Sequence, residues 1–72
     1  MLDLRELKTF RMVATEKSFT RAANLLHYAQ SSVTAQVHRL EEELGVPLFD
    51  RMGRRVELTL AGRQLTITSA PD

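Results

Sequence analysis

A mainly α-helical domain with a small β-hairpin is what this sequence predicts, and three observations predict it. Apolar residues recur at three- and four-residue steps in three separate segments. Residues that cap or stop helices, Asp3, Thr20 and Gly45-Val46-Pro47, stand beside those segments. Finally, Leu48-Phe49-Asp50-Arg51 and the alternating Val56-Glu57-Leu58-Thr59 flank Met52-Gly53-Arg54-Arg55, the pattern of a two-stranded hairpin.

The first segment opens with Asp3 and Glu6 at capping-box spacing, between Leu2 and Leu7 at the positions of a hydrophobic staple. Leu4, Leu7, Phe10, Val13 and Ala14 then form one apolar stripe, and Arg5, Glu6, Lys8, Arg11 and Lys17 point elsewhere. The spacing predicts a helix over residues 4–16. Ser18-Phe19-Thr20 interrupts it, and Thr20 is expected to cap a short second helix through Leu26. Ala22 and Ala23 suit that helix twice over, since small side chains let another helix cross closely and alanine is the best helix former. After a break at His27-Tyr28-Ala29-Gln30, Val33, Val37, Leu40 and Leu44 define the buried stripe of a third helix. Gly45 can take the left-handed conformation that ends it, with Val46 folding back on Leu40 and Pro47 blocking continuation.

After the hairpin, Thr59 can cap a last segment through Leu60, Ala61, Arg63 and Leu65. Residues 66–72 mix β-branched side chains with a proline, and the helix is not expected to continue through them. The fold expected is therefore a winged helix-turn-helix: a three-helix core, a two-stranded β wing over about residues 48–59, and the start of a linker helix. The helix-turn-helix itself occupies about residues 19–38. Residues 1–62 form the domain, and 63–72 begin a linker helix or a tail.

Composition fits a single small folded domain. Of 72 residues, 43% are hydrophobic and 26% charged, with 3 Gly and 2 Pro, which is too apolar for a disordered tail. Cysteine is absent, which excludes a disulfide framework, a thiolate zinc site and a cysteine nucleophile. No apolar run reaches membrane-spanning length. The charged start Asp3-Leu4-Arg5-Glu6 does not resemble a signal peptide, so a cytoplasmic location is expected. The net charge of +1 says nothing of nucleic acid by itself, and its uneven distribution, read alone, fits simply solvated faces better than a surface turned to phosphates. Glu41, Glu42 and Glu43 form an acidic run, whereas Arg51, Arg54, Arg55 and Arg63 lie close together later in the chain.

The outer face of the third helix carries the functional signal. Near its start stand Gln30, Ser31, Ser32, Thr34, Ala35, Gln36 and His38, all small or hydrogen-bonding and none acidic. Such a face can approach base edges. Its far end would be repelled by a polyanion, so the N-terminal half must lead, which also points the positive end of the helix dipole toward nucleic acid.

These residues resemble the DNA-binding domain of LysR-type transcription regulators. The resemblance runs from Leu4 to Gly62 and rests on Ser18-Phe19-Thr20-Arg21-Ala22-Ala23, on Leu26-His27 followed by Gln30, on Val37-His38-Arg39-Leu40-Glu41, and on Leu44-Gly45-Val46-Pro47-Leu48-Phe49-Asp50-Arg51. It implies a bacterial regulator that binds a double-stranded DNA operator, with the third helix in the major groove and the wing on the backbone or minor groove. It also implies a homo-oligomer in the full-length protein, joined mainly through a long helix beyond the wing. The isolated chain is expected to be a monomer or weak dimer. Base readout falls to Gln30, Ser31, Ser32, Thr34, Ala35 and His38, and phosphate or minor-groove contacts to Thr20, Arg21, Arg51, Arg54 and Arg55. Two positions depart from the family's pattern: Ser31 replaces its usual proline, and Ala35 a frequent arginine or lysine. Ala35 cannot donate a hydrogen bond, but it can pack on a thymine methyl.

A structural role competes at several positions. Gln30 could merely cap the third helix, His27 could satisfy helix-end carbonyls, and Arg51 could pair with Asp50 or Glu57. His38 with Glu41 or Glu42 has the spacing of a helical metal pair, but three or four convergent ligands are absent from the pattern. No nucleophile, base and orienting group fall together, and neither an enzyme nor a cofactor is expected. A protein-binding winged helix is the alternative reading, and it requires an apolar patch on the third helix that Ser32, Thr34 and Ala35 do not supply.

Overall fold

The computed structural model describes residues 3–50 and 56–69. Four helices, α1 (Leu4–Glu16), α2 (Phe19–Leu26), α3 (Gln30–Leu44) and α4 (Leu60–Ser69), accompany two short strands, β1 (Phe49–Asp50) and β2 (Glu57–Leu58). The strands pair antiparallel, Phe49 opposite Leu58 and Asp50 opposite Glu57. The expected wing turn, with Arg51, Arg54 and Arg55, lies outside the described residues, as does the staple residue Leu2.

Helix α1 begins where Asp3, in extended backbone, accepts the Arg5 amide on its carboxylate. Its buried face is Glu6, Thr9, Phe10 and Val13, with Leu7 and Ala14 partly covered. Leu4, expected on that face, is 80% exposed, because it lies a turn and a half before Phe10 and past the edge of the core. Thr9 compensates in part: its buried hydroxyl donates to Gln36 Oε1 at 2.7 Å and ties α1 to α3.

Helix α2 is capped by Ser18 and not, as expected, by Thr20. Ser18 has the extended backbone that a cap needs (φ −160°, ψ 125°), and its hydroxyl accepts the Arg21 amide at 3.1 Å. Thr20 sits inside the first turn. Both ends of this short helix are joined through L residues in the left-handed region, Lys17 (φ 53°) and His27 (φ 60°). Each closes the preceding helix through its own backbone N–H, Lys17 to the Val13 carbonyl and His27 to those of Ala23 and Asn24. His27 thus satisfies helix-end carbonyls with its main chain.

Phe10, Val13, Ala22, Ala23, Val33, Val37, Leu40, Leu48 and Phe49 make up the core. Ala22 and Ala23 are buried where α2 packs on α1 and α3, the close crossing their size permits. Phe49 links the hairpin to this core, its ring centroid 5.3 Å from that of Phe10 and 5.6 Å from that of Phe19. Gly45 ends α3 at φ 73° with its N–H on the Glu41 carbonyl. Two expectations for this end differ from the structure: Leu44 is 37% and Val46 41% exposed, so the apolar seal stops at Leu40.

Two hydrogen bonds fasten the start of α4 to the segment before β1, and a third caps the helix. The Thr59 amide donates to the Leu48 carbonyl, the Thr59 hydroxyl donates to the Pro47 carbonyl at 2.7 Å, and the same hydroxyl accepts the Gly62 amide as the cap of α4. Gly62 is required here, since a Cβ at that position would run into the Leu48 carbonyl oxygen. The helix continues through Thr66, Ile67 and Thr68 to Ser69, contrary to the expectation from residue type. Propensity is a weak bias, and the Thr66 hydroxyl meets its hydrogen-bonding need within the helix by donating to the Arg63 carbonyl.

Candidate nucleic-acid interface

Helix α3 presents two faces of opposite character. Val33, Val37 and Leu40 are fully buried against the core. Gln30, Ser31, Ser32, Ala35 and His38 are exposed, and Thr34 is partly so. Of these, Gln30, Ser31, Thr34, Ala35 and His38 line one shallow, open surface depression, while Ser32 lies apart from it. Five of the six residues expected to read bases therefore share a continuous strip.

The N-terminal end of that strip is electrostatically open. Ala29 is the N-cap of α3 and has no side chain to bond the first-turn amides. Gln30 does not cap the helix either. Its carbonyl Oε1 instead accepts a hydrogen bond of 3.1 Å from the Thr20 hydroxyl, which joins the two helices of the helix-turn-helix at the exposed surface. The acidic run is held at the other end. Glu41 turns toward the wing, where its Oε2 accepts the Leu48 amide at 2.8 Å and the Phe49 amide at 3.4 Å. Glu42 lies beside His38, 3.6 Å away at i,i+4 spacing. Among the described residues no group of three His, Cys, Asp or Glu side chains could hold a metal ion.

Arg21 projects from the first turn of α2, and its Nε donates to Glu16 Oε1 at 3.2 Å. The arginine side chain is 72% exposed, so this ion pair holds it weakly. A second hollow is lined by Lys17, Ser18, Phe19, Thr20 and Gln30, together with Val56 and Glu57 from the return side of the wing. Lys17 is a cation on this surface that the sequence pattern did not single out. Its one signal is its place directly before the Ser18 cap, where a left-handed turn points the chain at the start of α2.

A winged helix-turn-helix DNA-binding domain is the class that this fold and this helix face define. A family model described as "Bacterial regulatory helix-turn-helix protein, lysR family" matches residues 4–63. The chain is 52% identical over 62 residues to the HTH-type transcriptional regulator YwqM of Bacillus subtilis, itself described as uncharacterized, covering 86% of this chain and 21% of that protein. It is 48% identical over 64 residues to the RuBisCO operon transcriptional regulator of Allochromatium vinosum, covering 89% and 21%. Among solved structures, the BenM DNA-binding domain in complex with catB site 1 DNA superposes with a TM-score of 0.89 at 40% identity, covering 93% of this chain and 74% of that one. The CbnR DNA-binding domain in complex with DNA gives 0.87 at 39% identity, covering 93% and 77%. The chain belongs to the lysR family of bacterial regulatory helix-turn-helix proteins. It spans about a fifth of the length of the curated relatives it matches.

Proposed function

We propose that this chain is the duplex-reading module of a bacterial transcription regulator, binding a specific operator with α3 in the major groove. The observation that carries the reading is the exposed strip of Gln30, Ser31, Thr34, Ala35 and His38 on a helix whose opposite face is locked into the core. Groove insertion needs both properties at once, a polar face at the surface and a rigid seat behind it. Relatives of known structure were solved on DNA, and the resemblance of fold extends over nine-tenths of this chain.

Within that reading, Gln30, Ser31, Ser32, Thr34, Ala35 and His38 contact base edges, and Thr20, Arg21, Arg51, Arg54 and Arg55 contact phosphate or the minor groove. Arg21, itself exposed, can exchange the partly buried Glu16 carboxylate for a phosphate at little cost, since an ion pair at the surface is worth only about 0 to 1 kcal/mol. Residues 1–62 would be the DNA-binding unit, and 63–72 the start of a linker helix or a tail. The module acts by binding and not by catalysis, in the cytoplasm, within a homo-oligomer when the whole regulator is assembled. On α3 the one large hydrophobic residue exposed among those described is Leu44, at the far end, which gives a protein-binding groove no apolar floor.

The test is titration of the chain with duplex DNA at two salt concentrations. Binding is expected to weaken steeply as salt rises and to favour a site selected from a randomised pool. Binding that ignored salt, or that did not distinguish duplex sequences, would refute the reading.

A further inference from the structure

The hollow between the start of α3 and β2 carries an inference about how the domain grips DNA, and it rests on the reading of α3 in the major groove with the wing on the adjacent backbone or minor groove. We propose that Lys17 is a phosphate-contacting residue, its ammonium set against the sugar-phosphate strand that runs between the reading helix and the wing.

The backbone of Lys17 is the first observation. It ends α1 in the left-handed region, at φ 53° and ψ 35°, with its N–H on the Val13 carbonyl at 2.8 Å. An L side chain is crowded in that conformation, and glycine is the usual residue at such a helix end. Gly45 closes α3 in the same way at φ 73°, so this chain does use glycine for the task. A lysine at the end of α1 therefore weakens the fold slightly relative to glycine, and its use is to be sought in its side chain. His27 has the same backbone at φ 60°, so conformation alone does not single Lys17 out. Its surroundings do.

Lys17 is exposed, and it lines the hollow with Thr20 and Gln30 on one side and Val56 and Glu57 on the other. Its ammonium has no ion-pair or hydrogen-bond partner among the described residues, whereas the Arg21 side chain is held by Glu16. Successive grooves of a duplex are divided by one sugar-phosphate strand, so a domain with a helix in the major groove and a wing beside it straddles that strand. The surface between helix and wing is then the surface that the phosphates meet. Glu57 repels them there, and among the described lining residues Lys17 is the one cation that attracts them. Lysine suits this place, because a point charge on a flexible stem serves a phosphate without demanding one geometry.

The experiment compares Lys17→Gly, Lys17→Arg, Glu57→Gln and the double variant Lys17→Gly with Glu57→Gln, all in this chain, on a wild-type-selected duplex and its single-base variants across a salt series, with a thermal melt of each. Lys17→Gly should melt no lower than wild type, since glycine relieves the left-handed turn, and should bind every duplex more weakly by the same factor. A slope of about 0.9 per phosphate makes that factor about five- to tenfold at about 0.1 M salt, and the slope should lose about 0.9 in magnitude. Lys17→Arg should retain the slope, and Lys17→Gly should lose the same amount of slope once Glu57 is glutamine. A wild-type slope in Lys17→Gly overturns the proposal. So does a loss that vanishes in the Glu57→Gln background, which would make Lys17 a counter-charge to the acid only, and so does a loss confined to certain base pairs, which would make it a base contact. A lower melting temperature in Lys17→Gly with no rescue by arginine would place the lysine in the fold and likewise overturn it. If wild type itself binds without regard to salt or sequence, the reading of α3 fails, and that result is distinct from the others.

Discussion

Replacing Glu41 by alanine should destabilise the domain far more than its place in an acidic run suggests. The carboxylate accepts the Leu48 amide at 2.8 Å and, more weakly, the Phe49 amide at 3.4 Å, and these residues are 0% and 3% exposed. A hydrogen bond to a charged acceptor is worth about 1.5 to 3 kcal/mol, and a buried donor left without a partner costs about 1 to 3 kcal/mol. These are two measures of one loss and do not add, and with the second bond long the expected cost is about 2 to 3 kcal/mol. A 72-residue domain has roughly 4 to 11 kcal/mol to lose, at about 0.05 to 0.15 per residue. At about 4 to 8 °C per kcal/mol, the melting temperature should fall by about 10 to 20 °C. Thermal melts followed by far-UV circular dichroism measure this, with Glu42→Ala as the control, because the Glu42 side chain is 71% exposed and a surface change of this kind stays within about 0.5 kcal/mol. Equal melting temperatures for the two variants would show that the carboxylate does not hold the entry to the wing.

Leu40, fully buried on α3, should cost about 2 to 5 kcal/mol on substitution by alanine, read by urea denaturation; a wild-type midpoint would mean that α3 is not oriented as described. Arg55→Ala should weaken binding to all duplexes alike and reduce the magnitude of the salt slope by about one unit, in contrast to Gln30→Ala, and a base-specific loss would move Arg55 from phosphate to base contact. Sedimentation of the isolated chain at micromolar concentration should show mostly monomer, because the exposed apolar residues of α4, Leu60 and Ile67, offer little area; a tight dimer would show that α4 suffices for pairing.

What the sequence made legible, and what it hid, follows from the range of each interaction. Both bounds of α1 and the end of α3 were readable, because a capping aspartate and a stop glycine act within a turn of their own position. Ser18 and Thr20 are both residues that cap helices. The extended backbone that made Ser18 the cap is a property of the turn, which composition does not display. Leu4 has the right spacing for the apolar stripe but no partner above it, since periodicity gives a direction and not the edge of the core. In α4, β-branched residues argued against a helix that the Thr59 cap begins and its own backbone continues. At the interface the polar strip of α3 was legible from its residue types. Glu41 looked like one of three solvated acids, and its amide partners lie seven and eight residues away behind a glycine and a proline. The bond from Thr20 to Gln30 spans ten residues and depends on how two helices cross, which no local pattern reports.

The absence of a side chain at Gly62 makes α4 a lever with its fulcrum on the wing. Its backbone rests against the Leu48 carbonyl with no spacer between them, and the Leu58 side chain closes the gap from the other strand, 2.9 Å from where a Cβ would stand. Over its 10 residues the helix is about 15 Å long at 1.5 Å per residue, so a pivot of about 10° at Gly62 would swing its far end by roughly 2 Å. Gly62→Ala would therefore act as a wedge. It would re-aim whatever α4 carries without touching the reading helix, and couple the heading of the outgoing chain to the seating of the wing strands.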